Sequence, residues 1–234
     1  MSSVMRLDLH LHTRGSWDCL SDPEAVLARA DALRIDRIAI TDHNVLEVAI
    51  EMAARYPERV IPGEEIKTAE GVDVIGLYLS EEIPKGTPAK ETCRQIREQG
   101  GIVYLPHPYA PGKGGSGRLA ETLVSHLDVV EVYNARLRSD KRNAKGADLA
   151  LRHGLLRGAG SDAHSLGEVG NAWVEVAIHP NEPKAFLESL RSATIHGNRA
   201  GAHVFLHSNW AKMRKRLSRA STPQGWVGRM PPRC

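Results

Sequence analysis

Apolar and polar positions change period repeatedly along this chain. Residues 6–12 alternate Leu7, Leu9 and Leu11 with Asp8, His10 and His12, the period of two expected of a strand. Residues 22–33 switch to a helical period. Val26, Leu27, Ala30 and Leu33 form one face there, Ser21 or Asp22 is placed to cap it, and Pro23 suits the first turn. Short β-branched runs follow at 37–41, 60–61 leading into Gly63, 72–79, 102–105, 129–133, 156–159 and 173–176. Helical patterns cover 45–56, 88–99, 119–125, 143–153 and 182–192. The glycine pair at 100–101 and Gly154 are good C-terminal stops. This strand–helix order predicts an α/β protein with a mostly parallel sheet, closed or open. Residues 108–117, PYAPGKGGSG, read as a flexible loop.

Composition narrows the class. A chain of 234 residues with 41% apolar and 25% charged side chains is long enough to bury a real core without disulfides. It has no apolar run approaching the length of a membrane span. Cys19, Cys93 and Cys234 are scattered, and residues 1–12 carry no signal-peptide hydrophobic segment. Both features predict a cytoplasmic protein. The net charge of +3 conceals an asymmetry: residues 189–234 hold nine Lys or Arg and no acid, which leaves the preceding 188 residues at −6. The expected organisation is a main domain over residues 1–202, a basic and possibly helical segment over 203–220, and a disordered tail over 221–234.

The chemistry collects at strand ends. The runs close on Asp8-Leu-His10-Leu-His12-Thr13, Thr41-Asp42-His43, Pro62-Gly63-Glu64-Glu65, Pro106-His107-Pro108 and Ser161-Asp162-Ala163-His164. In a parallel barrel such ends converge on one mouth. Residues two apart on a strand share a side, so His10 with His12, and Asp162 with His164, are spaced to hold one ion. Imidazole with carboxylate suits Zn²⁺, Mn²⁺ or Fe. His10, His12, Asp18, His43, Glu65, His107, Asp162 and His164 make eight candidate ligands, too many for one tetrahedral ion and right for two or three. A lone strand-end histidine is more often a hydrogen-bonded surface residue, the reading given to His126, His153, His179 and His196. Five such coincidences in one register are another matter. Asp8 and Asp42 are expected to accept a ligand histidine's second N–H.

As an ordered set these motifs resemble the PHP (polymerase and histidinol phosphatase) family, from about Met5 to Arg199. The resemblance implies a distorted seven-stranded β/α, TIM-like barrel, a trinuclear metal site and phosphoester hydrolysis. It implies that His10, His12, Glu65 and Asp162 hold a first metal, that Glu65 bridges to a second held by His107, and that Asp18, His43 and His164 hold a third. Many relatives have a further histidine on the second metal, which has no counterpart in this sequence: Asn134, at the matching strand end, is a poor ligand. Some relatives place a histidine where Asp73 stands here.

Two ions a few Å apart lower the pKa of a water bound between them, giving a hydroxide, and hold the departing oxygen. Glu65, Asp162 and Arg136 are the candidate catalytic residues. Arg136, Arg138 and Asn134 are the candidate substrate-binding ones, the arginines offering a planar fork for phosphate oxygens. Lys113 and Arg118 in the glycine-rich loop are weaker candidates, and that loop lacks the Walker pattern. The expected substrate is a small phosphorylated metabolite or nucleotide. Cleavage of DNA or RNA ends and histidinol-phosphate hydrolysis are the alternatives. The cations of 204–217 are read as a solvated face in preference to a nucleic-acid contact.

Overall fold

The computed structural model describes residues 3–112, 114–201 and 204–220, without the side chains of 204–208 and 218–220. Among these, nine strands form one sheet: β1 (Val4–Leu11), β2 (Arg37–His43), β3 (Val60–Lys67), β4 (Asp73–Leu77), β5 (Ile102–Leu105), β6 (Val129–Asn134), β7 (Leu156–Gly160), β8 (Ala172–Ala177) and β9 (Thr194–Gly197). Their order is β7-β6-β5-β4-β3-β2-β1-β8-β9.

The sheet curls until the chain leaving β7 meets β1. The Asp162 amide donates to the His10 carbonyl at 2.7 Å, and the His12 amide to the Ala163 carbonyl at 2.9 Å. Gly160 makes this approach possible, because a Cβ there would stand 2.3 Å from the His10 Cβ. The result is a nearly closed barrel.

Two expectations change. The sheet has nine strands where the family resemblance implied seven, and it is mixed. β1–β2, β2–β3, β5–β6 and β6–β7 are parallel. β3–β4, β4–β5, β1–β8 and β8–β9 are antiparallel. Residues 68–72 alone join β3 to β4, too few for the crossover a parallel partner needs. The alternation in β1 is also broken. Its ladder with β2 shifts between Asp8 and Leu11, a bulge. Leu7 and Leu9 therefore lie in one apolar cluster and Leu11 in the other.

The helices are α1 (Pro23–Ala32), α2 (Glu47–Arg55), α3 (Ala89–Glu98), α4 (Ala120–Leu123), α5 (Asp140–His153), α6 (Pro183–Leu190) and α7 (Val204–Ala220). Asp22 caps α1 by accepting from the Glu24 and Ala25 amides, with Pro23 in the first turn. α5 stops at Gly154 in the left-handed conformation, φ 63°. One buried cluster joins the sheet to Val26 and Leu27 of α1, Met52 of α2, Ile96 of α3 and Leu149 of α5. The second gathers Leu7, Leu9, Ile61, Ile75, Tyr104 and Phe186, the last from α6. Residues 221–234, read as a disordered tail, lie outside the described residues, as does Lys113.

Candidate metal centre

The eight candidate ligands meet at one mouth of the barrel. His10 is the next-to-last residue of β1, and His12 and Asp18 follow the strand. His43 closes β2 and sits in direct register with Glu65 of β3. His107 follows β5, and Asp162 and His164 follow β7. Glu65 is central: Oε2 lies 3.3 Å from His10 Nε2, 3.3 Å from His12 Nε2 and 3.0 Å from His43 Nδ1, while Oε1 lies 3.0 Å from His107 Nε2. Asp162 Oδ1 is 3.5 Å from His12 Nε2. Asp18 reaches His164 Nε2 at 3.3 Å and His43 Nε2 at 3.8 Å. Two of the residues sit on backbone that ordinary side chains avoid, His107 at φ 26° and Asp162 at φ 52°. Such strain, about 1–3 kcal/mol per residue, persists where surrounding structure fixes it, and it gathers at functional sites.

Burial and mutual charge set the protonation of this cluster. Burial opposes the charge on His10, yet Glu131, Glu65 and Asp162 hold it well above the ordinary histidine value. His43 is likewise pushed up to about 9 against burial, by Glu65 and Asp18. His12 goes the other way, down to about 4, because burial and the neighbouring His164 and His43 disfavour a second charge. Burial pushes against ionisation of Glu65 and Asp162, but the histidines hold both well below the usual carboxylate range.

The donor set fits divalent ions. His10, His12 and Asp162 form one group of convergent donors, His10, Glu65 and His107 a second, and His12, His43 and His164 a third. His10 Nε2 and His12 Nε2 are 3.2 Å apart, and Asp18 Oδ1 is buried with no hydrogen-bond partner. Ring nitrogens and carboxylate oxygens aimed at common points are the donors that Zn²⁺, Mn²⁺ or Fe take.

The groups orienting the ligands differ from those expected. Asp8 accepts the Ser161 and Gly170 amides, and Asp42 accepts the Thr13 amide and hydroxyl. Both tie loops together rather than aim a ring. Glu131 does that work. Its Oε1 lies 3.1 Å from His10 Nδ1 and accepts from the Tyr104 hydroxyl, and its Oε2 accepts the His107 amide at 2.6 Å. Ser16 Oγ lies 3.0 Å from His12 Nδ1 and accepts the His43 amide. Glu131 was detectable as a lone carboxylate inside the apolar run of β6; Ser16 carried no signal.

Asn134 is buried, donating to Glu131 Oε2 at 3.0 Å and to Asp162 Oδ2 at 3.3 Å. Arg136 is buried at the cleft wall, with Nη1 2.6 Å from His164 Nδ1 and Nε 3.1 Å from Glu168. Arg138 and Arg118 are exposed and are not among the residues lining the cleft. Asp73 pairs with Lys67 at 2.6 Å on the cleft wall. The cleft itself has a volume of about 420 Å³. His153, His179 and His196 contact Glu121, Arg37 and Trp173, away from the centre.

Comparison with known proteins agrees with this geometry. A family model of the PHP domain matches residues 8–100, and one of the PHP-associated segment matches residues 140–195. An uncharacterised protein of Methanocaldococcus jannaschii is 37% identical over 201 residues, covering 81% of each chain. The 5'-3' exoribonuclease Rnm of Escherichia coli is 38% identical over 81 residues, 31% of this chain and 27% of that one. A two-domain Bacteroides vulgatus protein, described as containing a predicted PHP-like metal-dependent phosphoesterase, shares the fold with a TM-score of 0.65 at 19% identity. That match covers 89% of this chain and 70% of the other. The chain belongs to the PHP family.

Proposed function

We propose that this protein hydrolyses a phosphoester bond in a small phosphorylated metabolite or nucleotide, using two or three divalent ions of Zn, Mn or Fe. The observation that carries the reading is Glu65, whose two oxygens face four different histidines at 3.0–3.3 Å. A carboxylate so placed is suited to bridge ions. His10, His12, Glu65 and Asp162 would hold the first, Glu65 and His107 the second, and Asp18, His43 and His164 the third. When bound, such ions supply an activated water and positive charge for the departing oxygen.

The chain's own residues do the rest. Glu131 and Ser16 fix the His10 and His12 rings. Arg136, braced by Glu168, brings a guanidinium to the cleft wall for the non-bridging phosphate oxygens. Asn134 holds Asp162 in place. Among the described residues no helix is long and apolar enough to cross a membrane, and Cys19 and Cys93 are free and buried. Both suit a cytoplasmic enzyme.

A second reading, cleavage at nucleic-acid ends, draws on the 81-residue likeness to the exoribonuclease. A panel of phosphomonoesters, phosphodiesters and short oligonucleotides, assayed with Mn²⁺, Zn²⁺ and Fe²⁺, tests both. Turnover of small esters with weak salt dependence is expected. Cleavage of oligonucleotides alone, with steep salt dependence, would favour the second reading, and no turnover of any substrate would contradict both.

A further inference from the structure

The sequence pattern placed the cations of residues 204–217 on a solvated face, and Arg214 and Arg216 are indeed exposed. Lys212 is not placed that way. With Asn209, one helical turn earlier on the same face of α7, it lines the cleft of the metal centre. Its Nζ stands 3.9 Å from Asp18 Oδ2 and 4.7 Å from the centre of the Trp17 ring. Lys215, the next residue on that face, donates from Nζ to the backbone carbonyls of Arg14 and Ser16. α7 is therefore pinned to the loop that carries Trp17 and Asp18, and a side chain from the far end of the chain reaches a candidate metal ligand.

Of the other cations on the cleft wall, Lys85 is exposed, and Lys67 and Arg136 are more tightly engaged. Lys67 pairs with Asp73 at 2.6 Å, and Arg136 with Glu168 at 3.1 Å. The Lys212 contact with Asp18 is at the outer limit of an ion pair, and the same Asp18 oxygen lies closer, at 3.3 Å, to His164. The Lys212 side chain is 32% exposed, so its charge stays partly hydrated beside the cleft. The Trp17 face supports the ammonium by a cation–π contact. Coordination of a divalent ion by Asp18 would neutralise that carboxylate and release its hold on Lys212. An anion in the cleft is then the natural partner for the ammonium.

We propose that α7 forms part of the substrate site and that Lys212 is a phosphate-binding residue. It takes a non-bridging oxygen of the phosphorylated substrate while Lys215 holds the helix in place. This rests on the phosphoester reading above and adds a specificity element from outside the strand-end motifs.

Titration calorimetry of the metal-loaded full chain with inorganic phosphate tests it, with metal content measured on each variant. Lys212→Met is expected to weaken phosphate binding roughly tenfold to a hundredfold, the loss of one charge-assisted hydrogen bond, at unchanged metal content. Lys212→Arg should restore most of the affinity. Arg214→Gln removes the same charge from a position about 200° around the helix and should change affinity less than about twofold. With a substrate that is turned over, Lys212→Met should raise KM more than it lowers kcat.

Equal phosphate affinity in Lys212→Met and the parent protein would overturn the proposal. So would equal weakening by Arg214→Gln, loss of metal from Lys212→Met, or a parent protein that binds no phosphate. Phosphate binding that depends on Lys212, in a protein that hydrolyses no phosphoester, would leave this inference standing and remove the phosphoesterase reading instead.

Discussion

At the end of the barrel where β1 begins, Arg6 pairs with Glu175 at 3.5 Å, Arg59 with Asp31, and Arg37 with the carbonyl oxygens of Glu58 and His179. Each cation there has its own acceptor, and most of the carboxylates are at least a quarter exposed. At the other end His10, His12, Glu65 and Asp162 are almost wholly buried, and His10 and His12 bring ring nitrogens within 3.2 Å of each other. At the mouth several histidines crowd together around shared carboxylates; at the base the named cations are held mainly by carboxylates and carbonyls of their own. Arg6–Glu175 and Arg59–Asp31 are ordinary surface ion pairs, each worth at most about 1 kcal/mol, while the buried Arg37 is held by backbone carbonyls. The mouth is a set of donors able to hold a cation.

Substitutions should separate the two ends in order of size. Glu65→Gln removes the charge that faces four histidines, and should lower turnover by at least about a thousandfold and reduce bound metal. Retained metal and turnover would break the contrast at its centre. Glu131→Gln keeps the shape of the group that orients His10, and should cost about ten- to a hundredfold in metal affinity with little loss of stability, read by competition with a chelator. Glu64→Gln sharpens the comparison within one strand. Glu64 points away from the histidines and accepts the Ile83 amide at 2.9 Å, and burial pushes its carboxyl up to about 8. A neutral side chain already suits that place, so kinetic assay should show less than about a threefold change in turnover. Arg6→Gln, at the base, should change unfolding free energy by less than about 1 kcal/mol in a denaturant titration and leave turnover unaltered.

Much of the mouth was legible because its chemistry is periodic. His10 and His12, like Asp162 and His164, are two residues apart and close strand-like runs, so residue type and position announce the site together. What depends on long-range pairing was not legible. The antiparallel course of β4 follows from a short connection whose partner strands the sequence does not name. β9, four half-buried or exposed residues containing one Ile, has no alternation to detect. The supporting role expected of Asp8 and Asp42 went instead to Glu131 and Ser16. Which carboxylate faces a ring is decided by the β1 bulge and by strand register, not by distance along the chain. The approach of Lys212 to Asp18 spans almost the whole chain, and periodicity alone gave α7 a basic face without saying what it covered.

Elemental analysis decides whether the crowded mouth is a multinuclear metal site. Protein purified without chelator, or stripped and then reconstituted with Zn²⁺, Mn²⁺ or Fe²⁺, should carry about two or more transition-metal ions per chain. The Glu65→Gln variant should carry fewer. Less than about one ion per chain after reconstitution, in protein that remains folded, would contradict the account.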